Sequence, residues 1–244
     1  MNIAFHTAST GLKAYQNKLD VTANNIANVN TTGYKNKETS FQDLIYSNMN
    51  TKVEGNHKVG HGSRVGDVNT IFEQGVLQST GRELDFAIVG RAFFAVQGEN
   101  GNVSYTRDGA FQIGLEQTGA YLLNANGAYV LDGAGNRIQI PYEAGTNTPD
   151  MTAILGRIGL FTFENPEGLL DLGNNVYQAT NESGAAIRTI QSAENRLRNG
   201  MLEASSVDTG TEMVHMIEAQ RAFQMSARMV TSADEVEEVV NNLR

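Results

Sequence analysis

The chain has 244 residues, 40% of them hydrophobic and 18% charged, which fits one large or two modest folded domains and excludes a disordered composition. Its net charge of -9 argues against a nucleic-acid partner, because neutralising phosphates takes clustered Lys and Arg, and the longest basic cluster is Arg196 with Arg198. With no cysteine, disulfides, thiolate metal sites and a cysteine nucleophile are excluded together.

The first residues lack the basic start and apolar run of a cleavable secretion signal, and no stretch approaches ~18 consecutive apolar residues. Neither signal cleavage nor membrane insertion is expected. Phe5, Ala8, Leu12, Tyr15, Leu19, Thr22, Ile26 and Val29 fall at alternating steps of four and three. That is an a/d seam, and it predicts a helix over residues 1–30, ~40 Å long, packed along a partner helix. Its other faces carry only Lys13, Lys18 and Asp20, so crowded surroundings are expected on several sides. The helix is expected to stop in Asn28-Val29-Asn30-Thr31-Thr32-Gly33-Tyr34, with Gly33 at positive φ. Residues 1–35 thus form the first part of a helical domain.

Residues 36–65 contain Asn48, Asn50, Gly55, Asn56, Gly60 and Gly62 and show no sustained periodicity. They read as an extended or irregular connecting segment. Such a length is unusual in a compact domain unless it is functional or ordered by neighbours.

Residues 66–203 read as a β-rich domain. Leu84 to Val89 leads into Phe93 to Gln97, and Asn100-Gly101 predicts a hairpin turn. Tyr105 to Ile113 follows with Asp108-Gly109 inside it, then Tyr121 to Leu123 before Asn126-Gly127, and Tyr129 to Leu131 before Asp132-Gly133. Ile138 and Ile140 alternate ahead of Pro141. Turns at this spacing predict an antiparallel sheet or barrel-like domain able to fold alone. Residues 143–152 read as a loop, and Ile158 to Phe163 as a further strand ending at Asn165-Pro166.

Helical spacing returns over residues 204–244, with Ser205 and Ser206 as expected caps. Met216, Ala219, Phe223, Ser226, Val230, Ala233, Glu237 and Val240 share one face, widened by Val236, Val239 and Leu243. This helix is acidic and the first slightly basic, so pairing gains a modest electrostatic term of ~0–1 kcal/mol per exposed pair. The expected fold class is α+β: N- and C-terminal helices paired as a coiled coil, plus a central antiparallel β domain.

Catalytic chemistry finds little support. His57 and His61 have i,i+4 spacing, but Gly55, Gly60 and Gly62 argue against the helix a metal pair would need. Gly60-His61-Gly62-Ser63-Arg64-Val65-Gly66 has its third glycine one position late for a dinucleotide loop. Asp132-Gly133-Ala134-Gly135-Asn136 lacks the oxygen ligands of a calcium loop. No cofactor, metal or catalytic residue is expected.

Three separated motifs then point one way. Ala23-Asn24-Asn25-Ile26-Ala27-Asn28-Val29-Asn30-Thr31-Thr32-Gly33-Tyr34-Lys35 resembles the N-terminal signature of the bacterial flagellar basal-body rod protein family. Glu212-Met213-Val214-His215-Met216-Ile217-Glu218-Ala219-Gln220-Arg221-Ala222-Phe223 resembles its C-terminal signature. Ser79-Thr80-Gly81-Arg82-Glu83-Leu84-Asp85 on to Phe94, then Tyr105-Thr106-Arg107-Asp108-Gly109-Ala110-Phe111, resemble its middle. The resemblance spans nearly the whole chain. Within the family, the length and β middle match the distal rod type, with a proximal rod subunit as the alternative. The stretch after Ile140-Pro141 is shorter than in distal rod proteins.

The resemblance implies a self-assembling structural subunit of a tubular drive shaft that transmits torque and lines an export channel. Terminal helices would form an inner layer and β domains an outer one. The implied partners are further copies of the chain, neighbouring rod and hook proteins, and the flagellar type III export apparatus. The implied location is the flagellar basal body. Assembly is then expected through Leu12, Leu19 and Ile26 on one helix and Met216, Phe223 and Val230 on the other. Asn24, Asn25, Asn28 and Asn30 are expected to satisfy helix-end groups, to bond across to neighbouring subunits, or both. Gly33 and Tyr34 form the expected helix stop, and Gln220 and Arg221 read either as a solvated face or, as the resemblance implies, as lateral contacts between subunits. An enzyme acting on peptidoglycan would need a paired Asp/Glu or metal site, and an assembly cap is a third reading.

Overall fold

A computed structural model describes residues 3–48, 58–98, 100–116, 119–141, 149–190 and 195–243. Its helices of more than one turn are α1 (Ile3–Ala27), α2 (Met151–Arg157) and α3 (Thr209–Asn242). The chain divides into two units: residues 1–27, 37–70 and 208–244 form one, and residues 28–36 and 71–207 the other.

In the first unit α1 and α3 pack along each other. The residues they bury are small or polar: Ala8, Ala14, Thr22 and Asn25 on α1, and Glu212, Ala219 and Ala233 on α3. Ala8, Thr22, Ala219 and Ala233 were expected on the seam. Leu12, Tyr15, Leu19 and Ile26 flank it half-buried, and Phe5 is exposed. Small side chains let the two backbones approach, and that displaces the bulky ones to the edges. The expected caps are also displaced. Asp208 caps α3, its Oδ2 accepting from the Thr211 N–H at 3.1 Å, so the helix starts at Thr209 and not at Ala204.

Residues 36–65, read as extended or irregular, contribute ordered strands to this unit. Lys37–Asp43 pairs antiparallel with Ser63–Thr70, with a register shift between Thr39 and Phe41, and Tyr46–Asn48 pairs with Lys58–Gly60. Residues 49–57 of that segment lie outside the described residues. The order is supplied by α1: the Tyr15 ring lies 5.6 Å from that of Phe41, and the Lys18 ammonium sits 5.9 Å from the same ring. Neighbours impose the strands where the segment's own pattern does not.

The second unit is built on a nine-stranded antiparallel sheet. Its main path runs Leu170–Asp171, Val176–Gln178, Val103–Thr106, Phe93–Gln97, Tyr129–Val130, Gly119–Leu123, Gln112–Glu116. Leu160–Thr162 also pairs with Phe93–Gln97 and carries Ile187–Thr189 on its far side. Phe93–Gln97 is buried on both faces, which its unbroken apolar run requires. Phe94 and Val96 enter a core with Phe86, Phe111, Leu122 and Ile154, while Phe93 and Ala95 enter a second with Tyr105, Phe163 and Tyr177. The Asn126-Gly127 turn closes its hairpin with Gly127 at φ 80°, and Ile138 and Ile140 point inward as their alternation predicts.

The loop expected at 143–152 is partly helical: Asp150 Oδ1 accepts from the Thr152 and Ala153 N–H groups and starts α2, which buries Ile154. A seven-residue helix is too short to leave a periodic signature. Residues 142–148 lie outside the described residues.

Candidate assembly surface and buried junction

Within the second unit, residues 33–36 run beside residues 203–206. The Gly33 N–H donates to the Glu203 carbonyl at 2.7 Å, the Ser206 N–H to the Tyr34 carbonyl at 3.0 Å, and the Asn36 N–H to Ser206 Oγ at 2.9 Å. Ser206, expected as a helix cap, thus serves this crossing. Gly33 has φ 66° as expected, and a Cβ there would stand 2.8 Å from the Asp108 backbone nitrogen. Both its conformation and its close approach require glycine.

Beneath the crossing lies a buried charge cluster. Lys35 Nζ donates to Glu203 Oε1 at 2.6 Å and to the Glu73 carbonyl at 2.5 Å, and the Gly75 N–H donates to the same Oε1 at 2.8 Å. Arg107 Nη1 stands 3.5 Å from Glu203 Oε2, and its guanidinium lies 4.9 Å from the Phe93 ring. Two cations therefore share one carboxylate away from water. Burial pushes the Lys35 ammonium below its ordinary pKa, opposed by the attraction of Glu203, and burial lowers Arg107 in the same way. Such a cluster adds little net stability while complete, but removing its carboxylate leaves charge buried without compensation.

The expected assembly residues fall into three groups. Asn24, Asn30, Gln220 and Arg221 are exposed. Leu12, Leu19, Ile26, Asn28, Met216, Phe223 and Val230 are half-buried. Asn25, Gly33 and Tyr34 are buried. Asn25 spends its amide within the chain: Nδ2 donates to the Lys37 carbonyl at 2.8 Å, and Oδ1 accepts from the Lys37 N–H at 3.1 Å. These bonds satisfy the backbone groups of Lys37.

α3 also outlasts its partner, with 34 residues against 25 in α1. Val236, Glu237, Val239, Val240 and Leu243, expected on the paired face, are therefore exposed. Met225, Met229, Val236, Val240 and Leu243 form an uncovered apolar strip at steps of four, seven, four and three. Near its start an apolar groove of about 580 Å³ lies among Ile3, Ala8, Val59, Ala222, Met225 and Met229.

Sequence reasoning did not find the Lys35–Arg107–Glu203 cluster, whose members are 72 and 96 positions apart and obey no local pattern. Among the described residues no group of three or more His, Cys, Asp or Glu is placed to hold a metal, and His61 Nε2 instead lies 3.0 Å from Ser47 Oγ. His57 lies outside the described residues. No described helix is long and apolar enough to cross a membrane.

A pair of terminal helices with a further exposed apolar strip, in a chain whose middle is an antiparallel β core, is the arrangement of a structural subunit. The matches to known families agree. Residues 5–35 match the family described as "Flagella basal body rod protein", residues 87–168 "Flagellar hook protein FlgE/F/G D1 domain", and residues 198–243 "Flagellar basal body rod FlgEFG protein C-terminal". The chain is 36% identical to the flagellar basal-body rod protein FlgG of Borreliella burgdorferi, over 99% of this chain and 98% of that one. It is 34% identical to FlgG of Bacillus subtilis, over 99% and 98%, and 31% identical to the flagellar hook-basal body complex protein FlhP of that organism, over 98% of each. The chain belongs to the flagellar basal-body rod protein family. It is a structural subunit of the rod, located in the flagellar basal body, where it assembles with other rod and hook proteins.

Proposed function

We propose that this subunit is of the distal rod type and polymerises into a tube that carries torque and encloses an export channel. The terminal helices of many copies form the inner layer and the β cores the outer one. The work is mechanical, not catalytic. Subunits reach the growing tip through the flagellar type III export apparatus, unfolded. The observation that carries this reading is the apolar strip on α3, which the described residues of its own chain leave exposed. Half-buried Leu12, Leu19, Ile26, Asn28, Met216, Phe223 and Val230 and exposed Asn24, Asn30, Gln220 and Arg221 complete the contact surface, with Gly33 and Tyr34 setting where α1 ends.

Double substitution Met225→Asp with Val236→Asp tests it. Filament formation by the purified chain should be lost, while the unfolding temperature of the β core stays unchanged, as expected for surface positions. Filaments of ordinary length from the double variant would refute the proposal.

A further inference from the structure

The helix pair of the first unit is built from side chains that repeat. α3 places Ala219, Ser226 and Ala233 seven residues apart on its paired face, and α1 places Leu12, Leu19 and Ile26 at the same interval. Contact is close and made by small groups: a Cβ on Gly11 would lie 3.5 Å from Ser226 Oγ. A slide of one heptad, ~10 Å at 1.5 Å per residue, would set alanine where serine was and leucine where leucine was. Apolar packing alone discriminates poorly between such registers.

One buried pair does not repeat. Asn25, in the last turn of α1, and Glu212, in the first turn of α3, are both buried, and Asn25 Nδ2 donates to Glu212 Oε2 at 3.3 Å. The asparagine cannot turn away without losing its two bonds to Lys37. Glu212 has the start of α3 behind it, where backbone N–H groups favour a carboxylate, and His215 Nδ1 lies 3.9 Å from its other oxygen. One heptad along, the partner offered to Asn25 would be Ala219. Asn25 would then face an apolar side chain in place of its carboxylate acceptor, and Glu212 would lie past the end of α1 at Ala27.

We propose that Asn25 and Glu212 are positioning residues that select the register of α1 against α3. The proposal stands on the geometry of the first unit alone, so its failure leaves the rod reading intact. A single register sets which residues of the two helices are presented to a neighbour.

The absence of cysteine makes a direct test possible in the full-length chain. Gly11→Cys with Ser226→Cys reports the observed register, and Gly11→Cys with Ala219→Cys or with Ala233→Cys reports a one-heptad slide either way. Under mild oxidation at dilution, the first pair should cross-link at least ~10-fold faster than the others, the bias expected from one unpaired buried polar group. In Asn25→Leu or Glu212→Leu backgrounds the slipped pairs should rise to comparable rates, whereas Glu212→Gln, which keeps an acceptor oxygen, should retain the parent pattern. An unchanged preference in both leucine backgrounds overturns the proposal. So does loss of all three cross-links in them, because the pair would then hold the helices together without choosing between registers.

Discussion

The Lys35 ammonium and the Glu203 carboxylate, 168 positions apart in sequence, meet at 2.6 Å with neither side chain exposed to water. They join the segment that follows α1 to the segment that precedes α3, and Arg107 shares the carboxylate. The two partners are not equivalent. Glu203→Gln leaves two buried cations without a counter-charge and should destabilise the β core by ~3–5 kcal/mol. Lys35→Met leaves Glu203 paired with Arg107 and should cost distinctly less. Urea unfolding followed by near-ultraviolet circular dichroism measures both, and equal losses would show that Arg107 does not compensate.

Lys35 also has a pH signature. Its pKa is lowered in the folded chain, so between the folded value and the ordinary lysine value the unfolded chain holds more protons. Its contribution therefore makes stability rise with pH across that window. The slope of unfolding free energy against pH just below the ordinary lysine range should be more positive in the parent than in Lys35→Met.

Gly33 combines φ 66° with a backbone nitrogen of Asp108 only 2.8 Å from where a Cβ would stand. Gly33→Ala should cost ~1–3 kcal/mol for the strained backbone alone, and the steric contact adds to that. Thermal unfolding of the purified variant measures it. A change near zero would mean the crossing of residues 33–36 relaxes freely.

At the start of α3, Asp208 is held below its ordinary pKa by hydrogen bonds from the Thr211 hydroxyl, then the Thr211 and Gly210 N–H groups. A lowered carboxylate stabilises the fold above its unfolded pKa and loses that contribution as pH falls through the folded value. Acidification below about pH 4 should fray the first turn of α3, seen as faster amide exchange at Thr211 and Glu212. Asp208→Asn keeps the cap and should remove the pH dependence.

Much of this protein was legible in its sequence because the signals are local. Alternation predicted that Ile138 and Ile140 point inward, Asn126-Gly127 predicted its turn, and a period near 3.5 residues predicted two paired terminal helices. What escaped was set at a distance. Lys37–Asp43 and Ser63–Thr70 are strands because α1 lies against them, not because their own side chains alternate. α2 is one capped pair of turns without a stripe. The bonds of Asn25 to Lys37 and Glu212 escaped for the same reason, since those partners stand 12 and 187 positions away.

The central claim is that the terminal helices drive polymerisation and the β core does not. Electron microscopy of the purified full-length chain beside residues 28–207 tests it most directly, because the shorter chain keeps the Lys35–Arg107–Glu203 cluster. Straight filaments from the full-length chain, and a folded protein without filaments from residues 28–207, are the predicted result. Equal polymerisation of residues 28–207 would contradict the account.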